Sequence, residues 1–144
     1  MKMMRPILAL LLASAVPAYA ESDATSILDK INPAWQRLDA LSADFLSDEQ
    51  QKTVQELAFA TAAGEICEGF AVDRQKFVSA FEIFSDEKSR ALSAEERRQR
   101  ERRLLVLYGI ATGLFSAEGL LTKKDFCDAA ESVRLKPAGR FWTP

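Results

Sequence analysis

Apolar positions recur at three- and four-residue steps along most of this chain, and the strict alternation of a half-buried strand is nearly absent, so the pattern predicts helix after helix. An exception comes first: an apolar stretch at residues 7–16, preceded by Lys2 and Arg5 and followed by Pro17-Ala18-Tyr19-Ala20. A basic start, an apolar middle and small residues at the end make residues 1–20 read as a cleavable secretory signal peptide, cut between Ala20 and Glu21. The run falls short of the ~20 residues that cross a bilayer, which argues against an anchor.

Beyond Ala20 the start and stop signals of helices lie at regular intervals. Residues 21–31 predict a short helix with Ile27, Leu28 and Ile31 on one side, and Asn32-Pro33, a cap followed by a first-turn proline, opens a second short helix to about Leu41. Residues 21–46 thus read as short N-terminal helices, and residues 47–144 as a helical core domain with a C-terminal aromatic tail. Ser47 with Gln50 makes a capping box, and Asp48 and Glu49 suit the positive end of the helix dipole. The long helix that follows carries two adjacent apolar stripes, one through Val54, Leu57 and Ala58 and one through Phe59, Ala63 and Cys67, which predicts a central element. Its stop is placed at Gly69, in a left-handed cap.

Asp73 predicts the cap of a helix that aligns Phe77, Ala80, Phe81 and Phe84 on one core stripe, and residues 86–92 read as a connection. Ser93 with Glu96 repeats the capping box and opens the longest helix, to about Ala117 with Gly119 just outside. Its two halves differ in character. Residues 95–103 are nearly all charged and predict the pairs Glu95–Arg98, Glu96–Arg100 and Arg97–Glu101, whereas residues 104–115 are nearly all apolar. There Leu104, Leu107, Tyr108, Ala111 and Phe115 form a core stripe, and Gly109 with Gly113 offers a flat strip for another helix. Thr122 with Asp125 marks the last helix, Lys136-Pro137 ends it, and Phe141 with Trp142 predicts a tail folded back onto the domain. The fold class is therefore all-α: a single compact bundle of about five to six helices, monomeric or weakly dimeric.

Composition narrows the picture. The 124 residues after Ala20 suffice for one domain with one core. Losing Lys2 and Arg5 with the leader moves the formal charge from −2 to −4, and such an acidic chain gives no reason to expect nucleic acid as a partner. No later apolar run approaches spanning length, so the exported protein is expected to be soluble. Two cysteines, Cys67 and Cys127, remain for an oxidising compartment and are expected to pair.

Catalytic equipment is scarce. With no histidine in the chain, the commonest general base, the commonest metal ligand and the Ser-His and Cys-His pairs are all excluded. No phosphate loop, calcium loop or heme-attachment motif occurs, and no cofactor or metal is expected. Asp44, Asp48, Glu49, Glu65 and Asp73 are carboxylates that would serve hydrolysis if two converged, and Glu65, beside the stripe of Cys67, is the candidate buried carboxylate. Arg97, Arg98, Arg100, Arg102 and Arg103 are a candidate surface for anionic partners such as membrane phosphates, although the interleaved glutamates also suit a solvated face.

Cys67-Glu68-Gly69-Phe70, the Phe-rich helix, the apolar run at 104–115 and Phe126-Cys127 together resemble a group of small exported helical proteins of Gram-negative bacteria that carry no assigned activity. A more distant resemblance is to the periplasmic acid-stress chaperones of the HdeA type, small helical proteins stapled by one disulfide, in which low pH exposes apolar surface to clients. The expectation from these readings is an exported, periplasmic or secreted, non-enzymatic protein that works through contact with another protein or an envelope component, peripheral membrane contact included. An acid-stress chaperone, a carboxylate-based envelope hydrolase and a carrier with an apolar cavity beneath Phe77, Phe81 and Tyr108 are the alternatives.

Overall fold

The computed structural model describes residues 21–144, with side chains from Asn32 onward except Ala138. The expected leader, residues 1–20, lies outside the described residues. Six α-helices follow one another among the described residues: α1 (Glu21–Ala43), α2 (Asp48–Ile66), α3 (Arg74–Ala80), α4 (Glu87–Arg90), α5 (Ala94–Leu121) and α6 (Lys123–Val133), with 3-10 turns at Phe81–Phe84 and Pro137–Gly139.

At three helix starts a side-chain oxygen satisfies the free N–H groups as the sequence predicts. Ser47 and Ser93 each form a complete capping box, with Gln50 and Glu96 respectively, and Asp73 accepts from the backbone N–H of Gln75 and Lys76. Asp86 does the same for Ser89, which turns the expected connection at 86–92 into the short helix α4. Thr122 behaves otherwise. Its hydroxyl donates back to the Glu118 carbonyl at 3.0 Å, closing α5 rather than capping α6.

The two short helices expected over residues 21–41 are one continuous helix with Pro33 inside it. A mid-helix proline removes one backbone hydrogen bond and crowds the preceding turn. The helix is kept by what lies beyond the proline: Trp35 packs edge-on against Phe115 at 4.7 Å and donates to Glu118 Oε1 at 2.6 Å, and Leu38 is buried. At the other end of the chain's centre, α2 stops at Ile66, three residues earlier than expected; Gly69, at φ +78°, forms the turn after it, where only glycine is unstrained. The longest helix runs on to Leu121 and takes Gly119 inside. A Cβ there would stand 2.7 Å from Ile66 Cδ1 and 2.9 Å from Phe126 Cδ1, so the missing side chain is what lets α2 and α6 close on α5.

Helix α2 is the axis. Leu57, Ala58, Ala60, Ala62 and Ala63 are all fully buried, and these small side chains leave room for neighbours around most of the helix. One core cluster gathers Leu57, Ala60 and Ala63 with Phe70, Phe126 and Ala130; the other gathers Val54 and Ala58 with Leu38, Leu46, Phe84, Leu104, Leu107 and Ala111. Cys67 and Cys127 are joined, tying α2 to α6 across a separation of 60 residues. The tail folds into the first cluster: Phe141 and Trp142 are buried, Trp142 Nε1 donates to the Ala60 carbonyl at 3.0 Å, and Val72 and Trp142 form an isolated antiparallel bridge.

Candidate functional site

The five arginines near the start of α5 are close in sequence, but a helix advances about 100° per residue and scatters them. Arg98 and Arg102 point outward, where both pair with Glu95 at 2.9 and 3.3 Å. Arg100 turns inward, donating to the Phe45 carbonyl at 2.6 Å and to Gln50 Oε1 at 3.3 Å. Arg97 reaches back to the Leu92 carbonyl, and Arg103 lies over the Phe45 ring at 4.2 Å. The expected pairs Glu96–Arg100 and Arg97–Glu101 are replaced by these bonds, and Glu96 serves the capping box instead.

Phe45, in the turn between α1 and α2, therefore sits between two cations, with Arg100 5.4 Å and Arg103 4.2 Å from its ring centre. It also separates two hollows. On the Arg103 side an apolar groove of about 240 Å³ runs between α1 and α5, lined by Leu41, Phe45, Val106, Leu107 and Ile110 and closed at one end by Arg102 and Arg103. On the Arg100 side lies a more enclosed cavity of about 250 Å³, floored by Leu46, Phe81, Phe84 and Leu104 and rimmed by Arg90, Arg97, Arg100 and Glu101. Asp86 stands next to it. The Ser89 backbone N–H, bonded to its carboxylate, holds Asp86 below the usual carboxylate range, helped by Gln50 and by the charge of Arg100.

The apolar half of α5 is not wholly buried. Leu104, Leu107 and Ala111 face the core, yet Leu105, Val106 and Ile110 are 59%, 60% and 40% exposed and Leu120 is 75% exposed. These residues share the outer side of the helix with Arg98, Arg102, Gly109 and Gly113. At Gly109 and Gly113 a Cβ would meet nothing within 4 Å, so no described element approaches the strip that was expected to receive a helix. Contrary to the expectation that no apolar run after Ala20 approaches spanning length, α5 is by length and composition apolar enough to cross a membrane, and only 22% of its most apolar stretch is buried.

The chain matches no family model, no curated protein and no solved structure.

Among the candidate carboxylates, Asp44, Asp48, Glu49 and Glu65 are all exposed and Asp73 is half-buried. Glu65, the expected buried acid, is exposed, because it falls on the outer side of α2's last turn. The buried acid is Glu56, two turns earlier, with Arg140 at 2.9 Å and Lys52 at 3.8 Å; the contact ties the base of the tail to α2. Asp48 and Glu49 lie in the first turn of α2, and Asp73 is held below the ordinary carboxylate range by the backbone N–H of Lys76 that it caps. Among the described residues no group of three or more His, Cys, Asp or Glu is placed to hold a metal. Phe77, Phe81 and Tyr108 pack on one another with ring centres 5.5 to 6.4 Å apart, and the Tyr108 hydroxyl is 2.7 Å from Thr61 Oγ1.

The sequence groups the arginines without their directions, and it marks Leu104, Leu107, Tyr108, Ala111 and Phe115 as a core stripe without assigning Leu105, Val106 and Ile110 to solvent. It missed Phe45, Arg90 and the outer aliphatic residues. The twelve-residue apolar run was itself the signal, since a helix buried on one side needs only about half its positions apolar.

Proposed function

We propose that this is an exported, non-enzymatic contact protein of the bacterial envelope, and that its working surface is the outer side of α5, laid against an anionic membrane surface. One observation carries the reading: Leu105, Val106 and Ile110 stand in solvent directly beside Arg98 and Arg102. An aliphatic strip next to guanidinium groups is the combination that interfacial helices use, with apolar side chains entering the acyl boundary and cations meeting phosphates. The leader composition and the Cys67–Cys127 bond support export to the periplasm or beyond.

The acidic balance of the chain opposes this approach only weakly, because charges more than about 8 Å away are largely screened at physiological salt. Near the strip, Glu95 offsets part of the charge of Arg98 and Arg102, so attraction is modest and apolar insertion has to add to it. Vesicle co-sedimentation tests the reading. The leaderless oxidised protein is expected to pellet with phosphatidylglycerol vesicles, to stay in solution with phosphatidylcholine vesicles, and to be released by Val106→Asp with Ile110→Ser while keeping its melting temperature. Equal behaviour on both vesicles, or no effect of the substitutions, overturns it. A second copy of the chain is the rival occupant, favoured by the open strip at Gly109 and Gly113. A dimer in sedimentation analysis that Val106→Asp dissociates would replace the membrane reading.

A further inference from the structure

The cavity on the Arg100 side of Phe45 is separate from the outer strip and has a different chemistry. Its floor is buried and apolar, formed by Leu46, Phe84 and Leu104 with the half-buried rings of Phe45 and Phe81. Three guanidinium groups stand on its rim: Arg90 from α4, and Arg97 and Arg100 from consecutive turns of α5. Two acids oppose them there, Glu101 on the rim and Asp86 beside Arg100, so the local balance stays cationic by one.

The arginines are not consumed by the fold. Each guanidinium carries five N–H donors; Arg97 uses one on Leu92, Arg100 uses two on Phe45 and Gln50, and Arg90 stands exposed at the end of its helix. Donor forks above an apolar floor match a molecule with a planar anionic head and a hydrocarbon tail, because a carboxylate accepts two parallel N–H bonds from one guanidinium. A free inorganic anion would leave the floor empty, and a neutral hydrocarbon would leave the forks without an acceptor.

From this geometry we infer that the cavity formed by the α1–α2 turn, α4 and α5 is a binding site for a small amphiphilic carboxylate, its head on Arg90 and Arg97 and its tail on Leu46, Phe84 and Leu104. About 250 Å³ lies just under the usual ~300–1,000 Å³ of small-molecule sites, so the ligand is a short-chain one. The site is filled from solvent and does not require the outer strip. Its occupancy and the membrane reading therefore stand or fall separately.

Calorimetric titration of the oxidised, leaderless protein at low ionic strength tests this with four probes: octanoate, acetate, octanol and octyltrimethylammonium. Octanoate is expected to bind one to one and at least tenfold more tightly than each of the other three. The double substitution Arg90→Gln and Arg97→Gln should weaken octanoate at least tenfold while leaving the melting temperature within a few degrees. Ser85→Trp, which places an indole in the mouth, should abolish binding with the arginines intact. Octanoate no tighter than octanol reduces the site to an apolar hole, and octanoate no tighter than acetate reduces it to a charge patch. Either result overturns the proposal, as does retained affinity in both variants.

Discussion

The two core clusters on either side of α2 are similar in apolar content but are held in different ways. Around Cys67, Phe70, Phe126 and Trp142 the packing is reinforced three times: by the disulfide, by the Trp142 bond to the Ala60 carbonyl, and by the Val72–Trp142 bridge with its flanking bonds from Asp73 N–H to Phe141 and Thr143 N–H to Ala71. Around Leu38, Leu46, Leu104 and Leu107 no covalent bond adds to the packing; side-chain hydrogen bonds cross it instead, from Trp35 to Glu118, from Gln50 to the Ile83 carbonyl, from Gln51 to the Leu46 carbonyl and from Arg100 to the Phe45 carbonyl. Both hollows beside Phe45, and the outer strip of α5, belong to this second side. The covalent staple and the proposed binding surfaces thus lie on different sides, which fits the general tendency of binding regions to come from the less tightly held parts of a structure.

Removing the disulfide is the strongest test of that contrast. A bond closing a 60-residue loop stabilises by about 4 kcal/mol on the loop-entropy estimate, a large share of the ~5–15 kcal/mol that holds an ordinary domain together. Cys67→Ala with Cys127→Ala should lower the denaturant midpoint accordingly. The chain has two tryptophans, Trp142 in the stapled cluster and Trp35 against the other, so fluorine-labelled tryptophan gives each cluster its own resonance in the intact protein. In the oxidised chain the Trp35 signal is expected to move at lower denaturant than that of Trp142, and in the double variant the two should move together. Coincident transitions in the oxidised protein would mean that the clusters unfold as one and that the contrast has no thermodynamic content.

A smaller effect comes from one substitution made at two places in one helix. Gly119→Ala puts a methyl group 2.7 Å from Ile66 and 2.9 Å from Phe126 at the junction of α2, α5 and α6. The ~1–3 kcal/mol cost of overpacking exceeds the ~1 kcal/mol gained by replacing a helical glycine, so the protein should lose about 1 kcal/mol. Gly113→Ala meets nothing within 4 Å, keeps only the gain, and should stabilise by up to about 1 kcal/mol. Thermal melts of the two variants that shift in the same direction would show that the close approach at Gly119 is looser than it looks.

Gly119 also marks the limit of what the sequence discloses. Features decided by neighbouring residues were legible: the caps at Ser47, Asp73 and Ser93 need only a side-chain oxygen and the N–H groups two or three positions on. The disulfide followed from counting, and the buried tail from the size of its two rings. Features decided by distant partners were not. Nothing local tells Gly119, inside a helix, from a glycine that ends one; Ile66 and Phe126 make the difference. Pro33 has the right neighbours for a helix start, and Phe115 and Glu118 on another helix override them. The same holds for the candidate site. Periodicity finds an apolar run in α5 but cannot assign its outer side to solvent, and five clustered arginines give no hint that Phe45 divides four of them between two hollows.

The gentlest probe is acid, and it acts on the two sides unequally. Asp86 and Glu96 cap the helices that frame the second cluster, and Asp73 caps α3 beside the tail. All three are held below their ordinary values of 3.8, 4.5 and 3.8: Asp86 first by the Ser89 backbone N–H, Glu96 first by its hydrogen bond with Ser93, Asp73 first by the Lys76 backbone N–H. A carboxylate with a lowered pKa in the folded state favours folding fully above its unfolded value, and that contribution disappears as pH falls through the folded one. Stability should therefore be level from pH 7 to about 5 and decline below about 4. Two of the three caps lie on the side without staples, so the Trp35 resonance should broaden at higher pH than that of Trp142, and dye binding to apolar surface should rise with it. Asp86→Asn, which retains an acceptor oxygen but cannot titrate, should flatten part of the decline. Stability at pH 3 equal to that at pH 7 would remove the caps as the cause, and with them the physical basis for any acid-triggered exposure of the second cluster.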